Sequence, residues 1–374
     1  MTTSAPHRSN ADPVLILGAG LMGRLLAVAL SRAGHAVRVV DAGSPDGATA
    51  AARVAAAMLA PLAESAITEP QVVAMGQYAL QRWPQVLAQL VEPVFFQQNG
   101  TLVVWHRQDA QESQRFRASL HRTRQALPQL PAPELVDSAR LATLEPALAT
   151  RFHQGLYLPD EGQLDNRELL GALALTLGAA GVSIEWHAAW TVEQAMAHQQ
   201  RHGGWVLDCR GLGAQPGWSA VRGVRGEVVR LHAPDVTLQR PTRLLHPRYP
   251  IYIAPKPHQV FVVGATEIEA SDLSPASVRS VLELLSAAYA VHPGFGEARI
   301  LELNTQCRPT LPDNLPAVRA LAPQVLQING LYRHGFMISP AIADAVCEYL
   351  HHGTHALGQR LGLRMDLDLA TCPA

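Results

Sequence analysis

Three glycines near the start of the chain have the spacing of a dinucleotide-binding turn. They are Gly18, Gly20 and Gly23, and they directly follow a short apolar run. In such a turn the first glycine allows a tight bend, the second lets the backbone approach a pyrophosphate, and the third lets a helix pack closely on a strand. Asp41 follows the last glycine by 18 positions, close to the roughly 20 at which a carboxylate binds a ribose hydroxyl. These four residues predict a dinucleotide site.

Two arginines near the other end of the chain could bind a carboxylate. Arg308 lies in the segment CRPTLPD and Arg333 lies in NGLYRHGFM, and both segments follow apparent strands. A planar guanidinium binds a carboxylate through two parallel hydrogen bonds, so two converging arginines would suit a small carboxylate substrate. Either arginine taken alone is better explained as a solvated loop residue.

Few other residues are spaced for catalysis or metal binding. No serine lies in a nucleophile elbow, and no acid–base pair is recognisable by spacing. The histidine-rich segment 351–355 is broken by Gly353 and lacks the glutamate of a metalloprotease helix, so we interpret it as a solvated helix end and predict no metal site. The four cysteines are scattered without a Cys-x-x-Cys pair, which argues against a disulfide framework or a redox dithiol.

The glycine turn must be positioned by a strand, a helix and a second strand. Residues 14–17 form the continuous apolar run typical of a buried parallel strand. Apolar residues then recur at helical spacing up to residue 33, Gly34 can form a left-handed cap, and a second strand spans 36–40. The helix N-terminus would face the phosphates. No arginine follows Asp41, which disfavours NADP, and this unit alone leaves FAD and NAD open.

The alanine-rich segment 48–61 has two interpretations. Alanine propensity favours a helix that stops at Pro61 for most of this length. Alternatively, the small side chains would let backbone amides approach a flat cofactor. The residues alone leave both interpretations open.

Two kinds of segment alternate along the remaining chain. Residues 97–106 contain an Asn-Gly turn and predict a β-hairpin, and 223–231, 251–254 and 260–264 predict further antiparallel strands. A helix at 166–180 and a strand at 205–209 would return to the first layer. We therefore predict a cofactor domain of residues 12–85, 160–218 and 305–363, a substrate domain of residues 86–159 and 219–304, and flexible ends at 1–11 and 364–374.

A further helix is predicted to start at Ser339-Pro340. Serine is a favoured N-cap, proline is a favoured first residue, and apolar residues follow at helical spacing as far as Gly353. A helix N-terminus carries positive potential and free N–H groups. It would stabilise negative charge that develops on the ring of a bound redox cofactor.

The overall composition excludes several classes of partner. Lys and Arg number 30 against 31 Asp and Glu, so no field of one sign attracts nucleic acid or an acidic membrane. No apolar run approaches the roughly 20 residues that span a bilayer, and the chain start lacks the apolar core of a secretion signal. We expect a cytoplasmic protein that binds neither nucleic acid nor a membrane. The sequence leaves open whether it forms a homo-oligomer.

Six motifs occur in one order along nearly the whole chain. They are GAGLMG, AAAMLAP, VRGEVVRL, YIAPK with VVGATEIE, CRPTLPDNLP and NGLYRHGFMISPA. In these motifs the chain resembles the D-amino-acid oxidase family of flavoproteins, and within it the glycine oxidase branch that serves thiazole synthesis for thiamine. The resemblance implies an α/β fold in which an FAD-binding Rossmann-like domain of the glutathione-reductase type is interwoven with an antiparallel-sheet substrate domain.

The resemblance also implies roles for individual residues. Arg308 would bind the substrate carboxylate, Arg333 would assist it, Tyr252 would cover the substrate, and Glu64 would lie near the same cavity. The cofactor-binding residues would be Gly18, Ala19, Gly20, Leu21, Met22, Gly23, Asp41 and Ala42 for the ADP half, and Ala56, Ala57, Met58, His334, Gly335, Phe336 and Met337 for the flavin.

The implied activity is oxidative deamination of glycine, and also of sarcosine or small D-amino acids. The flavin takes a hydride from the α-carbon, so no catalytic acid–base residue is expected. The product would be an imine, released as glyoxylate and ammonia or passed to thiazole synthesis, and dioxygen would accept the electrons and yield hydrogen peroxide. Two alternatives stay open: an amine or D-amino-acid dehydrogenase with another electron acceptor, and a flavin-binding subunit that is active only within a complex.

The chain departs from the family pattern at two positions beside the presumed flavin. Relatives commonly carry glycine where this chain has Ala57, and asparagine where it has His334. Sarcosine oxidases attach their flavin through a cysteine in a region comparable to Cys307, but the spacing here looks displaced. We therefore expect FAD to bind non-covalently.

Overall fold

The computed structural model describes residues 12–369. Its strands are β1 (Val14–Leu17), β2 (Val37–Val40), β3 (Met58–Leu59), β4 (Phe96–Gln97), β5 (Thr101–Trp105), β6 (Glu134–Asp137), β7 (Gln154–Leu158), β8 (Gly162–Leu164), β9 (Ser183–Glu185), β10 (Trp205–Asp208), β11 (Arg222–His232), β12 (Thr242–Leu245), β13 (Ile251–Lys256), β14 (Val260–Gly264), β15 (Arg299–Thr310), β16 (Ala317–Ala322), β17 (Val325–Asn329) and β18 (Arg364–Asp366).

The same residues form α-helices and short 3₁₀ helices between the strands. The α-helices are α1 (Leu21–Arg32), α2 (Ala51–Val54), α3 (Pro61–Glu64), α4 (Pro70–Leu87), α5 (Ala110–Ala126), α6 (Ser138–Leu144), α7 (Asn166–Ala179), α8 (Val192–His202), α9 (Val278–Val291), α10 (Gly335–His352) and α11 (Ala356–Leu361). The 3₁₀ helices span Arg107–Asp109, Pro146–Leu148, Gly211–Gly217, Pro293–Glu297 and Tyr332–His334.

The first sheet contains the predicted strand–helix–strand unit. Its seven strands lie in the order β18-β16-β17-β10-β1-β2-β9, with β1 parallel to both β2 and β10. Helices α1, α7 and α10 pack together over it, and Ile16, Leu26 and Leu30 are fully buried between these layers. The predicted unit at residues 14–40 is therefore confirmed, and it carries the glycine turn at the carboxyl end of β1.

The second sheet is mainly antiparallel. Its eight strands lie in the order β15-β11-β14-β13-β12-β5-β7-β6, and only β12 and β5 pair in parallel. The predicted strands at 223–231, 251–254 and 260–264 all belong to it. The predicted boundary between residues 304 and 305 falls within β15, which continues through both predicted segments.

The strand predicted after the Asn-Gly turn at 97–106 is present as β5 and pairs antiparallel with β7, but the hairpin pairing across the turn is wrong. β4 pairs with β8 in a separate three-stranded sheet, whereas β5 joins the large sheet. Polar groups of the Asn-Gly turn bond to distant segments: Asn99 Nδ2 donates to Gln239 O at 3.0 Å, and Gly100 N donates to Glu161 O at 2.9 Å. These tertiary bonds hold the turn, so its two arms diverge instead of pairing.

The alanine-rich segment forms only one turn of helix, α2, so the long helix that alanine propensity favours is wrong. Side chains from elsewhere take the carbonyls that a longer helix would use. Asn166 Nδ2 donates to Ala52 O at 2.9 Å and to Arg53 O at 2.6 Å, and Lys256 Nζ donates to Ala56 O at 2.8 Å. The segment therefore leaves the helix after Val54 and runs along a cavity without regular secondary structure as far as β3.

The helix predicted to start at Ser339-Pro340 begins four residues earlier, at Gly335. Proline inside a helix lacks the N–H that would bond to the carbonyl four residues before it, here Phe336 O. Trp83 Nε1 donates to that carbonyl at 2.9 Å instead. Because Trp83 satisfies the carbonyl, α10 continues through Pro340 and places its N-terminus at Gly335.

The C-terminal segment is ordered further than predicted. Residues 364–374 were expected to be a flexible end, yet Arg364–Asp366 forms β18 and pairs in parallel with β16. The expected flexible residues 1–11 and 370–374 lie outside the described residues. Between residues 12 and 369, no helix is long and apolar enough to cross a lipid bilayer.

Candidate active site

One large cavity extends from the glycine turn to the two predicted arginines. Its volume is about 1290 Å³, and it lies between the first sheet and the second. Of the predicted site residues only Gly23 does not line it. Those that do are Gly18, Ala19, Gly20, Leu21, Met22, Asp41, Ala42, Ala56, Ala57, Met58, Glu64, Tyr252, Arg308, Arg333, His334, Gly335, Phe336 and Met337.

The glycine turn has the shape that a pyrophosphate requires. Gly18 has a φ of +94°, and a Cβ at this position would lie 2.8 Å from Cys209 O. A Cβ on Gly23 would collide with Gly18 O, so the third glycine lets α1 pack closely on the turn. A Cβ on Gly20 would meet nothing within 4 Å, because this glycine faces open space in the cavity. Backbone N–H groups at the start of α1 can therefore approach a phosphate.

Asp41 stands at the carboxyl end of β2 and connects the turn to the cavity. Its carboxylate accepts hydrogen bonds from Ala19 N at 2.5 Å and from Gly43 N at 2.6 Å. These bonds fix the carboxylate beside the glycine turn, where a ribose hydroxyl would reach it in a dinucleotide bound along α1.

Arg24 was not predicted as a site residue. It lies on α1, is 1% exposed and lines the cavity. It donates from Nε to Ala19 O and from Nη1 to Leu170 O, both at 2.6 Å. A buried cation held by neutral carbonyls beside the turn would attract the negative pyrophosphate. The available signal was an arginine near the start of the otherwise apolar first turns of α1.

Residues 55–58 line the cavity, and a buried lysine holds their backbone in place by a hydrogen bond. Lys256 donates from Nζ to Ala56 O at 2.8 Å and to Leu164 O at 2.7 Å. Burial lowers the pKa of Lys256 to about 7. Ala57, next along the segment, has a φ of +52°, a conformation that favours glycine. The departure from the family pattern therefore falls at a position where the backbone is strained.

His334 precedes α10 and faces Glu64. Its Nδ1 lies 3.5 Å from Glu64 Oε2, and the ring is 4% exposed. Burial lowers the pKa of His334 to about 4, although the carboxylate of Glu64 acts in the opposite direction. The imidazole is therefore neutral at pH 7, and the residues that follow it present the N-terminus of α10 to the cavity.

Arg308 binds no carboxylate in the part of the chain that the structure describes. Its Nη1 and Nη2 donate to Thr266 O at 3.1 and 3.2 Å, and Nη1 also lies 3.4 Å from Arg225 O. A Cβ on Gly226 would collide with its guanidinium, so this glycine leaves room for Arg308 to lie across β11. The charge of Arg308 faces the cavity with only neutral acceptors.

Arg333 is bound by two carboxylates of the protein. Its Nη1 donates to Glu267 Oε2 at 2.7 Å, and its Nε lies 3.1 Å from Glu64 Oε2. Arg243 also donates to Glu64. Burial disfavours the charge of Glu64, but Arg333 and Arg243 outweigh that effect and hold the pKa of this carboxyl below its usual range. The predicted assistance of Arg333 to a substrate carboxylate stays a prediction.

Tyr252 lies on β13 opposite Gly264 of β14, and its hydroxyl is close enough to collide with a Cβ there. Burial raises the pKa of Tyr252, although the nearby charges of Arg308 and Arg333 act to lower it. The phenol stays protonated and can donate a hydrogen bond into the cavity. Tyr252 and the predicted arginines therefore converge on one region.

Arg243 and Glu267 were missed because their importance depends on pairs between distant segments. Arg243 lies on β12 and pairs with Glu64 of α3, and Glu267 follows β14 and pairs with Arg333. The only signal for Glu267 was a carboxylate shortly after a strand end in VVGATEIE. Across residues 12–369, no group of three or more His, Cys, Asp and Glu side chains could hold a metal ion.

Known proteins resemble this chain over most of its length. A family model described as FAD dependent oxidoreductase (DAO) matches residues 13–349. ThiO of Rhizobium etli, a protein named as a thiamine biosynthesis oxidoreductase, is 40% identical over 349 residues, which cover 90% of this chain and 96% of that protein.

Two solved structures share the fold. Glycine oxidase from Geobacillus kaustophilus has a TM-score of 0.75 at 22% identity, covering 92% of this chain and 96% of that chain. Iminodiacetate oxidase from Chelativorans sp. BNC1 has a TM-score of 0.75 at 18% identity, covering 94% and 99%. At these identities the likeness establishes the fold alone.

Proposed function

The chain belongs to the FAD dependent oxidoreductase family (DAO), and from that premise we propose that it oxidises glycine, and with it sarcosine or small D-amino acids. The α/β fold and the FAD cofactor that the motifs predicted are confirmed. We further infer which amine is oxidised from the charges at the end of the cavity that contains Arg308 and Arg333.

The observation that carries the proposal is the unpaired charge of Arg308. In the cluster at this end, Arg243 pairs with Glu64 and Arg333 pairs with Glu267, whereas Arg308 faces only carbonyl oxygens. Among the described residues of this cluster, the guanidinium groups therefore outnumber the carboxylates by one. A partly buried guanidinium beside neutral acceptors is stabilised by one bound carboxylate, which a small amino acid supplies.

Beyond binding of the carboxylate, the reaction needs a neutral amine and an oriented α-carbon. When bound, FAD accepts a hydride from the α-carbon of an amine. The residues of this chain orient the substrate: Arg308 binds the carboxylate and the Tyr252 hydroxyl covers it. This division of roles needs no catalytic acid–base residue.

We propose that FAD is held without a covalent bond. The Cys307 Sγ is buried and directed at carbonyls, 3.5 Å from Asp272 O and 3.7 Å from Ala270 O. Burial also raises the pKa of this thiol, which disfavours the nucleophilic thiolate. Acid precipitation should release all yellow colour into the supernatant, and colour retained in the pellet would contradict non-covalent binding.

We further propose that the product imine serves thiamine biosynthesis, released as glyoxylate and ammonia or passed on, and that dioxygen accepts the electrons and gives hydrogen peroxide. The name of the R. etli relative supports the pathway. The free thiols of Cys209, Cys307 and Cys347 suit a reducing compartment, so we propose a cytoplasmic location.

The test is anaerobic bleaching of the bound flavin by a panel of small amines. We expect glycine to bleach it, and air then to restore the yellow colour with formation of hydrogen peroxide. Bleaching without peroxide on admission of air would instead support a dehydrogenase with another acceptor. Failure of every amine in the panel would contradict the proposed function.

A further inference from the structure

Glu267 binds the donors that a substrate carboxylate would use. Its Oε2 accepts from Arg333 Nη1, and its Oε1 accepts from the Tyr332 hydroxyl, both at 2.7 Å. Burial and the hydrogen bond to Glu267 raise the pKa of Tyr332 to about 12, so the phenol stays a donor. Both oxygens of this carboxylate are therefore held by one guanidinium and one phenol.

The cavity thus contains two arginine–tyrosine pairs. Arg308 and Tyr252 form the pair that we assign to the substrate carboxylate. Arg333 and Tyr332 form the second pair, and Glu267 already occupies it. All five side chains line the same cavity. The protein itself fills the donors of one pair, whereas no carboxylate of the described residues binds Arg308, so that arginine stays open to a substrate.

The two positions are adjacent. Arg308 donates to Thr266 O, and Thr266 directly precedes Glu267 along the loop after β14. The two arginines therefore flank the same short segment. A substrate carboxylate on Arg308 lies beside the Glu267 carboxylate, so a second carboxylate on that substrate would meet both a filled position and a like charge.

We propose that Glu267 is a specificity-determining residue that restricts this enzyme to amines with a single carboxylate, by occupying the second carboxylate-binding position on Arg333 and Tyr332. The proposal rests on the proposed function, because it takes Arg308 as the site of the substrate carboxylate. Its substrate class is the monocarboxylic amines, and the excluded class is the dicarboxylic amines such as iminodiacetate.

The test compares a monocarboxylate with a dicarboxylate as unreactive ligands of the oxidised holoenzyme. Acetate and malonate are titrated, and their binding is followed by the change in flavin absorbance, which requires no turnover. In Glu267→Gln the negative charge at Arg333 and Tyr332 is removed, so a second carboxylate no longer meets a like charge and can displace the neutral side chain. We expect the Kd of malonate to fall at least tenfold relative to the wild type, and the Kd of acetate to change less than threefold.

Glu269→Gln is the matched control on the same loop. Glu269 pairs with Arg222, does not line the cavity and carries the same charge. We expect this variant to leave both Kd values unchanged. If Glu267→Gln does not retain FAD, Glu267→Met removes the same charge and carries the same expectation. Either of two results would overturn the proposal. The first is an unchanged ratio of the malonate Kd to the acetate Kd in the Glu267 variant that retains FAD. The second is an equal change of that ratio in the Glu267 variant and in Glu269→Gln.

Turnover provides the second measurement. The ratio of kcat/KM for iminodiacetate to that for glycine should rise at least tenfold in Glu267→Gln. If glycine does not reduce the wild-type flavin, the proposed function fails, whereas the ligand titration still decides whether Glu267 blocks a second carboxylate. If glycine reduces the flavin but the titration shows no selective gain for malonate, only the inference about Glu267 fails.

Discussion

At the scale of single residues, Ala57 carries a backbone conformation that its side chain disfavours. An L-residue at positive φ costs about 1–2 kcal/mol, and glycine at the same position costs about 0.5–1 kcal/mol in chain entropy. Ala57→Gly should therefore raise the free energy of unfolding of the FAD-free protein by roughly 0.5–1 kcal/mol, as measured by urea denaturation.

Ala56→Gly is the control for this prediction. Ala56 is buried beside Ala57 and is not among the residues with positive φ, so glycine there brings only the entropic cost. We expect Ala56→Gly to lower the free energy of unfolding. A loss of stability in Ala57→Gly as large as that in Ala56→Gly would show that no strain is relieved at Ala57.

His334 should make the fold sensitive to mild acid. Its pKa lies at about 4 in the folded protein, below the ordinary value of 6.5, so between these values the unfolded chain binds the extra proton. The stability is complete above pH 6.5 and falls as the pH drops towards 4. Relative to His334→Asn, the wild type should lose about 2 kcal/mol more between pH 7.5 and pH 5.

Urea denaturation of both proteins at the two pH values measures this difference. His153→Asn, at an exposed position, is the control and should behave as the wild type does. Equal losses in His334→Asn and in the wild type would mean that His334 is protonated in the folded state at pH 5.

Single residues of the site were predictable where their local sequence was distinctive. Arg308 and Arg333 stood in distinctive segments that were predicted to be loops, although Arg308 lies within β15, and Asp41 had a fixed spacing from Gly23. Glu267 and Arg243 were not predictable in this way, because their chemistry arises from ion pairs across the cavity with partners that are remote in sequence. A carboxylate after a strand does not reveal which cation it will meet.

At the scale of elements, the start of α10 depends on a side chain from α4. Pro340 leaves Phe336 O without its helical donor, and Trp83 Nε1 supplies one. Trp83→Phe would leave that buried carbonyl unpaired, at a cost of about 1–3 kcal/mol. We expect the free energy of unfolding to fall by this amount in addition to the effect of the smaller ring.

Trp105→Phe separates the two effects. Trp105 is also buried, but its Nε1 has no hydrogen-bond partner among residues 12–369, so this change shortens the ring without breaking a hydrogen bond. Trp83→Phe should cost at least 1 kcal/mol more than Trp105→Phe in urea denaturation. If the two substitutions cost the same, the hydrogen bond from Trp83 does not support α10.

The elements that the sequence predicted well are those with strong local periodicity. The strand–helix–strand unit at residues 14–40 and the strands β13 and β14 follow directly from their apolar patterns. The pairing of the hairpin at 97–106 and the start of α10 were mispredicted, and the alanine-rich segment does not form the long helix that was one of its two interpretations. Side chains of Asn99, Trp83 and Asn166 bond there to distant backbone groups. No local pattern encodes such bonds.

At the scale of the whole molecule, the active site exists only because the chain alternates between two sheets. The first sheet supplies the glycine turn and Asp41, and the second supplies Tyr252 and Arg308 from β13 and β15. The sequence predicted this weaving from the order of its elements. The sequence did not predict the cavity or the ion pairs that leave one guanidinium unneutralised, because both depend on how the chain folds.

The most direct test of the account compares the wild type with Arg308→Met and Arg222→Met. Arg222 lies on β11, pairs with Glu269 and does not line the cavity, so it is the matched control. The measurement is the glycine concentration that half-saturates the rate of anaerobic flavin reduction.

We predict the same half-saturating concentration in the wild type and in Arg222→Met, and at least a hundredfold increase in Arg308→Met, which corresponds to about 2.8 kcal/mol of lost carboxylate binding. An unchanged half-saturating concentration in Arg308→Met would contradict the assignment of Arg308 to the substrate carboxylate, and with it the central claim that the unneutralised charge in this cavity binds a small amino acid.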